Sequence, residues 1–438
     1  MDIEEHQNSE NDTISFSLRN SQLITVLNLS VVTFLVLLGL SMVAPILPSY
    51  AESFQVSYTL VGFVISSFAV TRVILDIPAG LLSRSHDKKK IMILGLILIV
   101  VSSIMAGLAP SYIVLVIARM IEGAGSALYV TSATVFLAQI SGKEKRGQWM
   151  SLYSGMLLLG SVFGPTFGGV IASTFDIRAP FYAYALVAGL GVIPTLTLPR
   201  VENSEHASGT DEKRSTLHDM WHVLTYPSFL LATIATFALF FIRTGVRSTL
   251  VPLFAANNLG LDPSFIGGIL TVAGITTAAT MVPMGGLSDK IGRRNPLSLC
   301  LLLAALIIVW IPFSCNLIEL TINMAIYGAI IGLSGPIAAF ITDVSPQDKL
   351  EVSMGLYRMI SDLGFIAGPL LLGYLADMTA TPVVGETHLG TISMVPFIAA
   401  AAILVVAGLT LLKARDPIRE RNAQRKISLI EQDNEPFQ

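Results

Sequence analysis

Twelve predominantly apolar stretches, each 20 to 28 residues long, run through this sequence and leave little room for any fold outside a bilayer. A helix rises about 1.5 Å per residue, so each stretch is long enough to cross roughly 30 Å of hydrocarbon. The predicted spans are 23–48, 58–82, 90–109, 112–139, 148–172 and 179–198, then 228–254, 264–287, 295–314, 317–342, 351–376 and 391–413. Charged residues make up 13% of the chain, against about 25% in ordinary globular proteins. That is too little polar surface to clothe a soluble molecule of 438 residues. A net charge of −3 gives no support to nucleic acid as a partner. The first 22 residues are polar and acidic, without the basic start and cleavage site of a secretory signal, so the first span is expected to be retained. Cys300 and Cys315 fall toward opposite ends of one predicted helix, about 22 Å apart and far beyond disulfide reach.

Basic residues orient the spans. With both termini in the cytoplasm, 21 of the 27 Lys and Arg lie on that side, among them Lys88, Lys89, Lys90, Lys145, Arg146, Arg293 and Arg294, and Arg178 alone lies in an opposite loop. The expected organisation is an N-terminal tail (1–22), a six-helix bundle (23–199), a flexible polar linker (200–226), a second six-helix bundle (227–413) and a C-terminal tail (414–438). The two bundles read as copies. The charged turn GGLSDKIGRR at Gly285–Arg294 has a weaker counterpart, GLLSRSHDKKK, starting at Gly80, 205 positions earlier. SLYSGMLLLGSVFGPTFGG from Ser151 aligns without gaps on GLYRMISDLGFIAGPLLLG from Gly355, matching Gly160 to Gly364 and Gly164-Pro165 to Gly368-Pro369. Duplicated halves around a midplane site are the plan of many secondary transporters.

Three motifs carry a family resemblance. Gly285, Asp289, Lys290, Gly292, Arg293 and Arg294 fit the loop signature G-x-x-x-D-[RK]-x-G-[RK]-[RK]; Arg119, Gly123 and Gly125 fit R-x-x-x-G-x-G in span four; Gly160, Gly164, Pro165, Gly168 and Gly169 fit G-x-x-x-G-P-x-x-G-G in span five. On these residues the chain resembles the major facilitator superfamily over almost its whole length, and most closely its twelve-helix drug:proton antiporter branch. The resemblance implies an all-α membrane protein of twelve transmembrane helices in two pseudo-symmetric halves. It also implies a conformational latch in the charged loop, with Asp343 as a partner for Arg293 or Arg294, and Asp289 near a helix N-terminus or an arginine of the opposite half. The first copy departs from the pattern: Arg84 stands in place of Asp, Asp87 in place of Gly, and Gln139 in place of Asp343. Whether the first copy still latches is therefore open. Gly160, Gly164 and Gly168 line one helix face and let another backbone approach, while Pro165 frees a carbonyl; packing and a moving hinge fit equally.

Ionisable groups inside spans are costly unless paired or hydrated. Span two holds Arg72 and Asp76, span four Arg119 and Glu122, and span eleven Arg358 and Asp362, each pair spaced to share a helix face. The resemblance places spans two and eleven side by side, so their pairs read as a four-charge gate. None of the six histidines lies in a span. Glu122, Arg119, Asp76 and Asp362 are thus the proton-coupling candidates: desolvation raises a carboxyl pKa, a neighbouring arginine lowers it, and opening the pair changes the balance. A permanent ion pair is the competing role. Arg243 and Arg247 on span seven have no acid in their segment, and the spans hold five arginines against three acids. That balance favours an anionic or zwitterionic ligand. Tyr129, Phe240, Phe241 and Tyr327 are candidates for packing against substrate.

The reading is a multi-pass, plasma-membrane secondary transporter, a monomer without cofactor or metal, exporting amphipathic small molecules against protons as a multidrug antiporter does. The alternative is proton-coupled or facilitative uptake of an organic anion, and behind it a substrate-sensing receptor on a transporter fold. The sequence shows no nucleophile–base constellation, metal-ligand cluster or Walker loop, so no enzyme is expected.

Overall fold

The computed structural model describes residues 2–141, 146–199, 217–380, 390–422 and 424, with side chains for all of these except 2–21, 77, 84, 85, 146, 217, 218 and 351. Among the described residues α-helices follow one another in the order α1 Asp2–Val43, α2 Leu47–Glu52, α3 Tyr58–Ser85, α4 Lys88–Gly107, α5 Tyr112–Ile140, α6 Arg146–Thr174, α7 Ala179–Thr197, α8 Leu217–Leu224, α9 Pro227–Ile242, α10 Val251–Asn257, α11 Pro263–Ile291, α12 Arg294–Trp310, α13 Leu317–Gly332, α14 Ile337–Val344, α15 Leu350–Thr379 and α16 Val395–Leu411, with a further helical stretch at 417–422. Hydrocarbon offers no water to backbone amides and carbonyls, so a spanning segment must satisfy them within itself. Eleven of the described helical stretches are long and apolar enough to cross, and α16, with 17 residues, is a shorter twelfth. At about 1.5 Å per residue α16 covers roughly 25 Å, close to the thickness of a thin bilayer core. Large apolar side chains point outward along these helices, with Ile74, Val282, Leu306 and Ile318 all more than 60% exposed. A water-facing surface would not tolerate such a coat; lipid does.

Local chemistry sets the helix ends. Proline occupies the first turn of α7, α9, α11 and α16, where the missing N–H costs nothing. Asn316 accepts from the Glu319 amide at 3.0 Å, and the Glu319 carboxylate reaches back to the Cys315 amide at 2.8 Å, a reciprocal cap that starts α13. Gly292, at φ +93°, ends α11.

Three spans are less regular than their composition predicts. Span one breaks at Ala44–Ile46, beside Pro45 and Pro48, before the short helix α2. Span ten breaks at Leu333–Pro336 between α13 and α14. Span seven is continuous over Pro227–Asn257 but winds as a π-helix through Arg243–Leu250. There the hydroxyls of Ser248 and Thr249 bond to carbonyls five residues back. Cys315 lies beyond the end of its expected helix, which closes with a 3₁₀ turn at Ile311–Phe313. Part of the expected linker is also ordered. Leu217–Leu224 is a helix with Val223 buried and Trp221 exposed, and Asp219 pairs with Lys349 at 3.1 Å; residues 200–216 lie outside those described.

The chain divides into two compact units. The first comprises residues 1–43 and 71–208, the second residues 44–70 and 209–438. In the first, α1 packs against α6 and α7, and α4 against α5 and α7. In the second, α11 packs on α13, α12 on α16, and α15 on α9 and the π-helical turn that follows it. The start of α3 belongs with the second unit, a division that the sequence repeat does not contain.

Candidate functional site

Inside the first unit, α5 carries Arg119 and Glu122 one turn apart. The Arg119 Nη1 donates to Glu122 Oε2 at 2.5 Å, and the side chains are only 6% and 1% exposed. The other carboxylate oxygen, Oε1, is buried and has no hydrogen-bond partner among the described residues. Tyr184 of α7 is close enough to feel both charges, and its hydroxyl is likewise buried without a partner. Gly39 of α1 makes room for that ring, since a Cβ there would lie 1.9 Å from Tyr184 Cδ2. Sequence reasoning missed Tyr184, because a tyrosine in an apolar helix carries no pattern. Gly125 lies against α4, where a Cβ would come within 2.7 Å of the Gly95 carbonyl, and this close crossing fixes the helix that presents the pair.

The other membrane acids sit differently. Asp76 Oδ1 accepts from Thr131 of α5 at 3.3 Å, and Arg72 stands one turn away on α3; both are partly exposed within the first unit. In the second unit Asp362 is buried and Arg358 exposed on α15. Arg247 donates from Nη2 to the Leu270 carbonyl of α11 at 3.1 Å, so it is anchored inward. Arg243 is exposed at the start of the π-helical turn, its guanidinium 5.9 Å above the Phe240 ring. Phe241, Tyr327 and Tyr129 are nearly or fully buried, and Tyr129 shares a 2.9 Å hydrogen bond with Thr33 in the first unit. These three fill the interior of their units, whereas Phe240 remains partly exposed.

The glycine rows serve close helix crossings. Cβ atoms at Gly160, Gly164 and Gly168 would fall within 2.7 Å or less of α1 atoms at Phe34, Ser41 and Met42, and α6 continues unbroken through Pro165. The second copy repeats the arrangement: Gly364 and Gly368 abut the Phe237 and Phe241 carbonyls of α9 at 2.5 and 2.3 Å by the same measure. Gly368 also crosses Gly245 in the π-helical turn. Pro369 and Gly373 use another face of α15, against Gly62 and Tyr58 of α3.

In the charged loop, Arg293 donates to Asp343 Oδ2 at 2.5 Å and to Asp289 Oδ1 at 2.6 Å. Asp289 is thus engaged within its own loop. Arg294 turns away, donating from Nη1 to the Ala414 carbonyl at 3.0 Å. Lys290 contributes its carbonyl to Asn422 Nδ2 at 3.0 Å, and Gly285 has no neighbouring atom within 4 Å of where a Cβ would sit. A cavity of about 570 Å³ opens here, lined by Asp289, Arg293, Asp343, Ile418, Arg421 and Asn422.

A polar cluster that sequence reasoning did not single out joins α2 and the start of α3 to the rest of the second unit. Asp377 of α15 accepts the Tyr58 amide at 2.5 Å and the Thr59 amide at 2.8 Å, capping α3 from another helix. The buried Glu52 accepts from Asn257 Nδ2 at 2.9 and 3.1 Å. Its members lie some 200 to 320 residues apart, so no local motif announces them.

The arrangement is a pair of helical units with charged groups held inside and a basic loop at one end. The family description of the Major Facilitator Superfamily matches residues 29–254 and 232–432. The chain belongs to this superfamily. It is accordingly a multi-pass membrane transporter of a small-molecule substrate. Among curated proteins it is 25% identical over 351 residues to Multidrug resistance protein 2 of Bacillus subtilis, covering 79% of this chain and 87% of that one. It is 24% identical over 349 residues to Quinolone resistance protein NorA of Staphylococcus aureus, covering 79% and 88%. Among solved structures, the nucleoside transporter NupG superposes with a TM-score of 0.73 at 14% identity, covering 89% of this chain and 98% of that one. An inward-facing bacterial homologue of the human lysosomal transporter Spinster gives 0.71 at 16%, covering 90% and 98%. These two show the fold alone.

Proposed function

We propose that this superfamily member exports amphipathic small molecules in exchange for protons, by alternating access, from the plasma membrane with both termini in the cytoplasm. It acts as a monomer and makes or breaks no covalent bond. The names of the curated relatives support efflux of drug-like compounds. The observation that carries proton coupling is Glu122: a buried carboxylate with one oxygen on Arg119 and the other open to a proton. Protonating Oε1 removes the charge that holds Arg119, and deprotonation restores the pair, so the proton decides whether the Arg119 guanidinium is held by Glu122 or released to another acceptor. Arg72 with Asp76 and Arg358 with Asp362 serve as gate charges. The loop of Gly285, Asp289, Lys290, Gly292, Arg293 and Arg294, with Asp343 of α14, serves as the latch, and the glycine rows permit the helices to slide. Glu122→Gln keeps the shape and cannot ionise. In proteoliposomes it should lose most pH-gradient-driven flux while substrate counterflow persists; gradient-driven flux at the wild-type level would move the proton site to Asp76 or Asp362.

A second reading concerns the cargo. Arg243 is an exposed cation inside a span, stacked on Phe240, and favours carboxylate-bearing or zwitterionic compounds, whether exported or taken up. A charged hydrogen bond of this kind contributes about 1.5 to 3 kcal/mol. Arg243→Ala should weaken anionic and zwitterionic ligands about tenfold or more relative to neutral ones of similar size, and an equal effect on both classes would contradict it.

A further inference from the structure

The two copies of the charged loop start their next helix with different atoms. In the first copy Asp87 is the N-cap of α4, its Oδ1 accepting the Lys89 amide at 3.0 Å. The equivalent position 205 residues later is Gly292, which has no side chain and adopts φ +93°. The amide equivalent to that of Lys89 belongs to Arg294, and it donates to Asp416 Oδ2 at 3.0 Å. Asp416 lies just beyond α16 and is 5% exposed. A Cβ at Gly292 would stand 2.4 Å from the same carboxylate oxygen, so the glycine clears the place that Asp416 fills.

The basic side chains repeat this relation. Lys89 Nζ donates to the carbonyls of Leu196 and, at 3.0 Å, Leu198 at the end of α7. Arg294 Nη1 donates to Ala414 just past α16. Each loop is thus bound to the end of the sixth span of its own copy, but only the second loop draws its cap from there. Asn422, bonded to the Lys290 carbonyl, binds the C-terminal segment to the loop at a further point.

We propose that Asp416 is a positioning residue of the second loop: it accepts the first backbone amide of α12, whose own N-cap residue Arg293 offers no side-chain acceptor, and thereby holds Arg293 where it meets Asp289 and Asp343. The first loop's Asp87 is the same cap built into the loop itself, so the departure from the motif there and the tail contact here are two forms of one device. The functional half of this inference rests on the loop being a moving part of transport, as proposed above.

The test compares Asp416→Ala, which removes the acceptor, with Asp416→Asn, which keeps one and caps about as well. Hydrogen exchange of the amides at 294–297 is read in the full-length protein in lipid nanodiscs, and transport is read in proteoliposomes at equal protein content. The alanine variant should exchange about 5- to 30-fold faster, the upper part of the range for a lost cap, with the asparagine variant within about twofold of wild type. Maximal transport rate should fall several-fold in the alanine variant with KM unchanged, and recover in the asparagine variant. Should the alanine variant fail to accumulate while the asparagine variant does so normally, the acceptor requirement is supported; failure of both alike overturns it. Unchanged exchange in Asp416→Ala, or asparagine exchanging as fast as alanine, overturns the cap. Faster exchange with an unchanged transport rate overturns the positioning role. None of these outcomes depends on Glu122, whose own substitution tests proton coupling separately.

Discussion

At the scale of single residues, the Arg119–Glu122 pair could be seen in the sequence because a charge inside an apolar span has few explanations and the spacing of three puts the two on one face. Tyr184 could not. Its significance comes from Gly39 and from a hydroxyl buried beside the pair with no hydrogen-bond partner among the described residues, and both are properties of packing. A buried, unsatisfied hydroxyl costs about 1 to 3 kcal/mol. Tyr184→Phe is therefore expected to leave thermal stability unchanged or raise it. If the hydroxyl serves Glu122, gradient-driven transport should nevertheless fall about threefold or more. A thermal-shift measurement beside a flux assay checks both, and lowered stability with unchanged flux would assign Tyr184 a purely structural part. Asp343 shows the intermediate case. The family resemblance offered it as a partner of Arg293 or Arg294 and left the choice open, and the structure brings it to Arg293. Arg294 is instead committed to the end of α16, a partner some 120 residues distant that no spacing rule reaches.

At the scale of elements, number and order of the spans were legible because about 20 apolar residues in a row admit one structure in lipid. Their interruptions were not. A window that averages hydropathy passes over the break at Ala44–Ile46 and over the π-helical turn at Arg243–Leu250, which depend on proline placement and on the crossing of Gly245 with Gly368. The glycines of the motifs also look alike in sequence and differ in space. Gly368→Ala places a methyl 2.3 Å from a backbone carbonyl that cannot step aside, so α15 and α9 must separate. The expected cost is about 1 to 3 kcal/mol, with reduced yield of folded protein. Gly285 has open space around it in the last part of α11. Gly285→Ala should be neutral or stabilise by up to about 1 kcal/mol through helix propensity. Detergent-solubilised variants compared by thermal unfolding decide between them, and equal losses at the two sites would contradict the packing argument.

At the scale of the whole molecule, duplication of the loop and glycine motifs made the two-copy plan readable, whereas the membership of residues 44–70 in the second compact unit was not, because it is held by contacts such as Asp377 with Thr59. Orientation can be checked on the natural chain. Its two cysteines are both free, Cys300 buried and Cys315 exposed. With cytoplasmic termini, Cys315 falls in an outer loop, so a membrane-impermeant maleimide should label intact cells and Cys315→Ser should abolish the signal. Labelling that requires broken cells would invert the topology. The central claim is that substrate leaves as protons enter, and proton movement measured alongside substrate flux tests it most directly. Proteoliposomes containing the wild-type protein and a pH-sensitive dye in the lumen, given an amphipathic substrate gradient and no pH gradient, should show proton flow opposite to the substrate, and Glu122→Gln should abolish that proton flow. Proton flow in the same direction as the substrate, or substrate flux without any proton flow, would contradict the account.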